Sequence, residues 1–162
     1  MFFEDLIRAL DVRGVRYALV GGVAVNLHGV PRMTYDVDIV VLTDPTTLLA
    51  CKGALTELGL VCRLPIALET LADVSERARL ENERNLIAIT FTDPGNPLRE
   101  VDVLIAPSLD PDGIVARSIV RSAGEFEVRI ASVADLLRMK RAAARPQDLA
   151  DVAHLERIAE QS

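Results

Sequence analysis

The sequence predicts an α+β domain: a mixed α/β sheet flanked by helices and closed by a C-terminal helical hairpin. Three observations predict it. Helical and strand patterns alternate up to about residue 58, mostly strand-like segments fill residues 85–130, and two helical segments end the chain. A chain of 162 residues, half of them hydrophobic, has room for one packed core. With 4% aromatic residues and no Trp, that core must be aliphatic. Residues 1–131 are expected to form the core and residues 132–162 a hairpin packed on it, as one domain overall.

Each element has a local reason. Phe2, Phe3, Leu6, Ile7 and Leu10 fall at helical spacing between Phe2 and Val12, and Gly14 stops that helix. Arg16 to Val20 reads as a short buried strand entering Gly21-Gly22. Gly22 to His28 reads as a helix, ended by Gly29 and Pro31. Tyr35 to Leu42 is rich in β-branched residues and alternates in its first half, which predicts a strand. Thr43-Asp44-Pro45 opens a helix to Leu58, with Pro near the first helical position and Gly59 at the end. Leu60 to Arg63 reads as a short edge strand and Glu69 to Leu80 as a helix. Asn85 to Thr92 and Arg99 to Ala106 read as strands, joined into an antiparallel hairpin by Asp93-Pro94-Gly95-Asn96-Pro97. Asp110-Pro111-Asp112-Gly113 reads as a turn and Glu125 to Ile130 as a strand. Ser132 to Asp135 is a capping-box-like start for a helix to about Ala144, and Pro146 opens a last helix through Glu160.

Net charge −6 and a pI of about 4.9 argue against tight, non-specific binding along a nucleic-acid backbone, which needs a basic face. Arg138 to Arg145 is the exception, a run with four positive charges and no negative one. It reads either as a solvated helix face or as a local cationic patch. The longest uncharged stretch, Tyr17 to Pro31, is too short and too broken by Gly, Asn, His and Pro to span a bilayer. The start of the chain lacks the basic segment of a signal peptide. Cys51 and Cys62 are too few for a disulfide framework or a four-ligand zinc site, and read as small buried hydrophobes. A cytoplasmic protein with no membrane partner is the expectation.

Asp36, Asp38 and Asp102 are the candidates for chemistry. Asp-x-Asp spacing means little in a chain this rich in Asp, and Asp110 with Asp112 repeats it within a Pro/Gly turn. Context carries the weight. Within a strand, Asp36 and Asp38 share one face, roughly 7 Å apart, while Val37, Ile39 and Val41 take the other. Asp102 stands alone among hydrophobics in Val101 to Ile105. Burying an unpaired carboxylate costs several kcal/mol. These acids therefore reach solvent at a cleft or on edge strands, pair with Arg or Lys, or bind a divalent cation. Oxygen-only ligands suit Mg²⁺ or Mn²⁺ rather than zinc.

Gly21-Gly22 follows a buried strand and opens a helix. Small residues there allow close approach of a phosphate to unpaired backbone N–H groups. They also suit a tight turn alone. Neither a Walker loop nor a Gly-x-Gly-x-x-Gly dinucleotide fingerprint is present.

Taken together, the strand ending in Gly-Gly, the short helix, Arg32-Met33-Thr34-Tyr35-Asp36-Val37-Asp38 and a third acid in a later strand resemble a known pattern. It is that of the nucleotidyltransferase superfamily that includes DNA polymerase β. The second Gly and first Asp are 14 positions apart. Tyr17 to Val41 also looks like the small antibiotic nucleotidyltransferases. Leu136 to Leu155, with Lys140, Arg145, Asp148 and Asp151, resembles the AbiEii-like nucleotidyltransferase toxins. Gly22 stands where many members carry Ser, many AbiEii-like chains are longer, and Cys51 to Leu80 matches nothing in the pattern.

The resemblance implies a polymerase β-like core sheet and metal-dependent transfer of an NMP from an NTP to a hydroxyl, with release of pyrophosphate. It implies an RNA 3′ end or a protein as acceptor, a toxin–antitoxin setting, and a cognate antitoxin or partner chain. Transfer to a small antibiotic, or a non-catalytic nucleotide-binding or antitoxin module of the same fold, are the alternatives. By the same resemblance Asp36 and Asp38 would hold both Mg²⁺ (or Mn²⁺) ions, and Asp102 the one nearer the acceptor. Asp102 would also orient or deprotonate the acceptor hydroxyl. Gly21 and Gly22 would face the β- and γ-phosphates, Lys140 would neutralise the triphosphate, and Arg32 is a second contact. Arg145 and Asp148 read as a salt bridge or cap across the helix–helix turn. His28 reads as a helix-end residue, and nothing marks His154 as a metal ligand.

Overall fold

The computed structural model describes all residues, 1–162. Seven helices and seven strands follow in the order α1 (Phe2–Val12), β1 (Tyr17–Val20), α2 (Gly21–Leu27), β2 (Val37–Val41), α3 (Pro45–Glu57), β3 (Val61–Cys62), a 3₁₀ turn (Leu68–Ala72) and α4 (Val74–Arg84). Then come β4 (Ala88–Asp93), β5 (Asn96–Leu104), a 3₁₀ turn (Pro107–Leu109), α5 (Pro111–Ala116), β6 (Ile119–Ala123), β7 (Phe126–Ile130), α6 (Val133–Ala143) and α7 (Pro146–Glu160). The α+β class predicted from sequence is the class observed.

All strands join one sheet in the order β3-β4-β5-β2-β1-β7-β6. It is mixed: β2 runs parallel to β5 and β1 parallel to β7, while the β1/β2, β3/β4, β4/β5 and β6/β7 pairs are antiparallel. Alternation sends Val37, Ile39, Val101, Val103 and Ile89 into one aliphatic core shared with Leu6 and Leu10 of α1 and Leu48 and Leu55 of α3. The same alternation turns Asp38 and Asp102 to the opposite face, whereas Asp36, expected inside the strand, precedes it, because β2 begins at Val37. Leu136 and Leu155, from α6 and α7, belong to that same cluster. No helix is long and apolar enough to cross a membrane.

Some expectations shift. The helix expected over Glu69 to Leu80 is broken at Asp73, whose side chain accepts from Ser75 N and caps α4, leaving a 3₁₀ turn before it. Asn85 is no strand residue; it ends α4 in the left-handed region, and β4 begins at Ala88. Asp110-Pro111-Asp112-Gly113 starts a helix, with Asp110 capping Gly113 N and Pro111 at the first position. β6 was not anticipated: it is an outer strand, exposed at its centre, and lacks an apolar alternation. Cys51 is buried, whereas Cys62 is half-buried.

Candidate active site

The site forms where β1 ends. Val20 of β1 lies opposite Asp38 of β2, and Asp38 lies beside Asp102 of β5 in the parallel register. Asp102 in turn pairs across the antiparallel ladder with Thr90, whose hydroxyl donates to Asp102 Oδ1 at 2.5 Å. Two registers therefore bring the predicted acids to one face. Gly21 begins α2 with φ +63°, and a methyl group there would overlap the Asp38 carboxylate. Glycine is needed on both counts. At Gly22 a methyl would stand 2.7 Å from Thr34 Oγ1 and 3.2 Å from Arg32 Cζ, so the Arg32–Thr34 loop fills the space a side chain would take.

Sequence reading missed a fourth acid. Glu100 sits two residues before Asp102 on the same face of β5. Carboxylate oxygens of Asp36, Glu100 and Asp102 lie within 4.8 Å of one another. Glu100 also accepts from Arg63 Nη2 at 2.7 Å. Its carboxyl is shifted up by burial, against the pull of Arg63, with Asp102 and Asp36 adding to the rise. Burial pushes Asp38 up to about 7, helped by Asp102 and then Asp36 and opposed by Lys140. Such crowding of anions calls for a counter-charge. The donors are all carboxylate oxygens, a set that fits Mg²⁺ or Mn²⁺.

Positive charge faces the acids from the α6–α7 hairpin. Lys140 is buried, with Nζ 3.2 Å from both Asp148 Oδ1 and Asp151 Oδ2. Arg32 Nη1 donates to Asp151 as well, and Arg32 Nε is buried without a partner. Arg145 donates through its backbone N (3.2 Å) and Nε (2.8 Å) to Asp148 Oδ2, the cap expected across the helix–helix turn. Between sheet and hairpin lies a cleft of about 770 Å³. Gly21, Gly22, Arg32, Asp36, Asp38, Asp102 and Lys140 all line it, and so does Arg145. His28 stands outside it: Nε2 is 2.8 Å from Ala131 O, and burial lowers its pKa, so the neutral ring donates to that carbonyl. It ties α2 to the β7–α6 junction.

The acids, the glycine turn and the cationic hairpin make a cavity suited to a polyanion with accompanying cations. Residues 6–162 match the family model described as "Nucleotidyl transferase AbiEii toxin, Type IV TA system". No curated protein matches the chain. Among solved structures it is similar to the antibiotic-resistance factor ANT(2'')-Ia, whose solution structure is described as revealing substrate-regulated conformation dynamics. The TM-score is 0.56 at 13% identity, over 98% of this chain and 80% of that one, a likeness of fold.

Proposed function

The chain belongs to the AbiEii nucleotidyl transferase toxin family, and from that premise we propose that it transfers an NMP from an NTP to a hydroxyl on RNA or protein. One observation carries the reading. An acid-lined sheet face, a glycine turn and a cationic hairpin converge on one cleft.

In the reaction proposed, the acceptor oxygen bonds to the α-phosphorus, the bond from that phosphorus to the bridging oxygen breaks, and pyrophosphate leaves. Asp36, Asp38 and Asp102 would hold Mg²⁺ or Mn²⁺, which when bound supplies positive charge to the phosphates and acidifies the acceptor hydroxyl. Asp102, oriented by Thr90, receives or directs the hydroxyl proton. Backbone at Gly21 and Gly22 faces the β- and γ-phosphates without a side chain intervening. Lys140 and Arg32 offset the triphosphate's charge across the cleft. A type IV toxin–antitoxin setting, as in the family's description, supplies a cognate antitoxin as partner. The fold likeness to ANT(2'')-Ia favours a second reading, transfer to a small cationic antibiotic.

The test is incubation with each of the four α-³²P NTPs and Mg²⁺ or Mn²⁺, in the presence of total RNA, protein extract or aminoglycosides. Label in RNA or protein that disappears in Asp38→Ala supports the leading reading. Label confined to the antibiotic supports the second. No label with any NTP overturns both.

A further inference from the structure

The cleft's cations are not equivalent. Lys140 is held between two carboxylates that are 2% and 5% exposed. Arg32 is turned to Asp151 and is 17% exposed. The buried acids of α7 have thus already claimed both. Arg145 differs. Its side chain is 77% exposed, and it lines the same cleft as Gly21 and Gly22. Only its Nε is engaged, by Asp148 Oδ2 at 2.8 Å, while neither Nη nitrogen has a protein partner. Asp148 grips the near edge of the guanidinium and leaves the outer edge, with four N–H donors, free. Asp148, and to a smaller extent Asp38 lining the same cleft, hold the guanidinium in its charged form.

A planar fork pinned at Nε and open at both Nη atoms is suited to bidentate contact with phosphate oxygens. We propose that Arg145 directly grips the pyrophosphate half of the NTP, and that Lys140 acts as buried charge behind it. The assignment rests on the proposed nucleotidyl transfer and names the residue that holds the leaving group. It gives Arg145 two tasks, capping α7 and binding substrate. One Asp148 carboxylate serves both, holding Lys140 through Oδ1 and Arg145 through Oδ2.

Calorimetry with Mg²⁺ tests it, using three probes: an α,β-methylene NTP, inorganic pyrophosphate and the matching NMP. Arg145→Gln should bind the triphosphate analogue and pyrophosphate about tenfold or more weakly, the scale of one charge-assisted phosphate contact. Its NMP affinity should stay within about twofold. Arg145→Lys, which keeps the charge and loses the fork, should recover part of the loss. Arg141→Gln should change nothing, since Arg141 pairs with Glu156 on the exposed face. Unchanged pyrophosphate binding in Arg145→Gln overturns the assignment, as does an equal loss for NMP. A parent protein that binds the analogue normally while Arg145→Gln also does so sinks this inference alone. A parent that binds no nucleotide sinks the proposed function with it.

Discussion

Asp38 sits between Gly21, whose missing side chain leaves it room, and Asp102, whose charge opposes its own. With its pKa raised from 3.8 to about 7, the folded state holds a proton that the unfolded state has released across that window. Stability from this group is therefore lost as pH rises from about 4 to about 7. In EDTA, Asp38→Asn should show a smaller fall in Tm between pH 5.5 and pH 8 than the parent. Parallel curves would remove the buried repulsion from the account. Below pH 7 a divalent ion must also displace the proton, so Mn²⁺ affinity should rise with pH up to that point. Gly21→Ala meets both a left-handed backbone, costing about 1–2 kcal/mol, and the Asp38 carboxylate. It should lower Tm and abolish label transfer; full activity would show that the turn relaxes freely. The glycine pair, Asp36 and Asp38 were legible because a strand entering Gly-Gly and acids alternating with apolar residues are local signals, and Asp102 because it stands alone among hydrophobics in its own strand. Glu100 was not. It joins the cluster only through the parallel β2/β5 register, and the chain between those strands says nothing about that register.

Elements with a single local meaning were read well: α1 was expected at its observed bounds, and Gly59 and Pro146 mark the end of α3 and the start of α7. Ambiguous signals failed. Asp-Pro-Asp-Gly describes both a turn and a capped helix start, and the β2 end decides between them. Asp112, in the first turn of α5, accepts from Thr43 N at 2.8 Å and Thr43 Oγ1 at 3.0 Å, just beyond β2. That contact fixes α5 as a helix docked against the strand carrying Asp38. Asp112→Ala leaves both donors of buried Thr43 without this acceptor and should cost about 1–3 kcal/mol in urea unfolding. A loss below a few tenths of a kcal/mol would mean that water replaces the carboxylate. Asp73 is the counterpart: only its cap on α4, visible once the chain is folded, splits the helix expected over Glu69 to Leu80.

At the scale of the whole molecule, the net charge of −6 hides an opposition across the cleft. Asp36, Asp38 and Asp102 share the cleft with Arg32, Lys140 and Arg145, and the hairpin stays in place because its own Asp148 and Asp151 neutralise part of that positive charge. Asp151 is the tie between hairpin and body, since its Oδ2 accepts from Arg32 of the β2-side loop and lies 3.2 Å from Lys140 of α6. Removing one partner of a buried ion pair is far costlier than replacing the pair, because the remaining charge stays desolvated. Asp151→Ala strands Arg32 and leaves Lys140 with Asp148 alone, and should lower stability by about 3–5 kcal/mol, a large share of the whole for a domain of this size. Adding Arg32→Met should recover part of that loss, because it removes one stranded charge. Urea denaturation of the parent, both single variants and the double variant closes the cycle. If the two changes simply add, Arg32 and Asp151 are not coupled, and apolar contacts such as Leu155 in the core must hold the hairpin to the sheet instead.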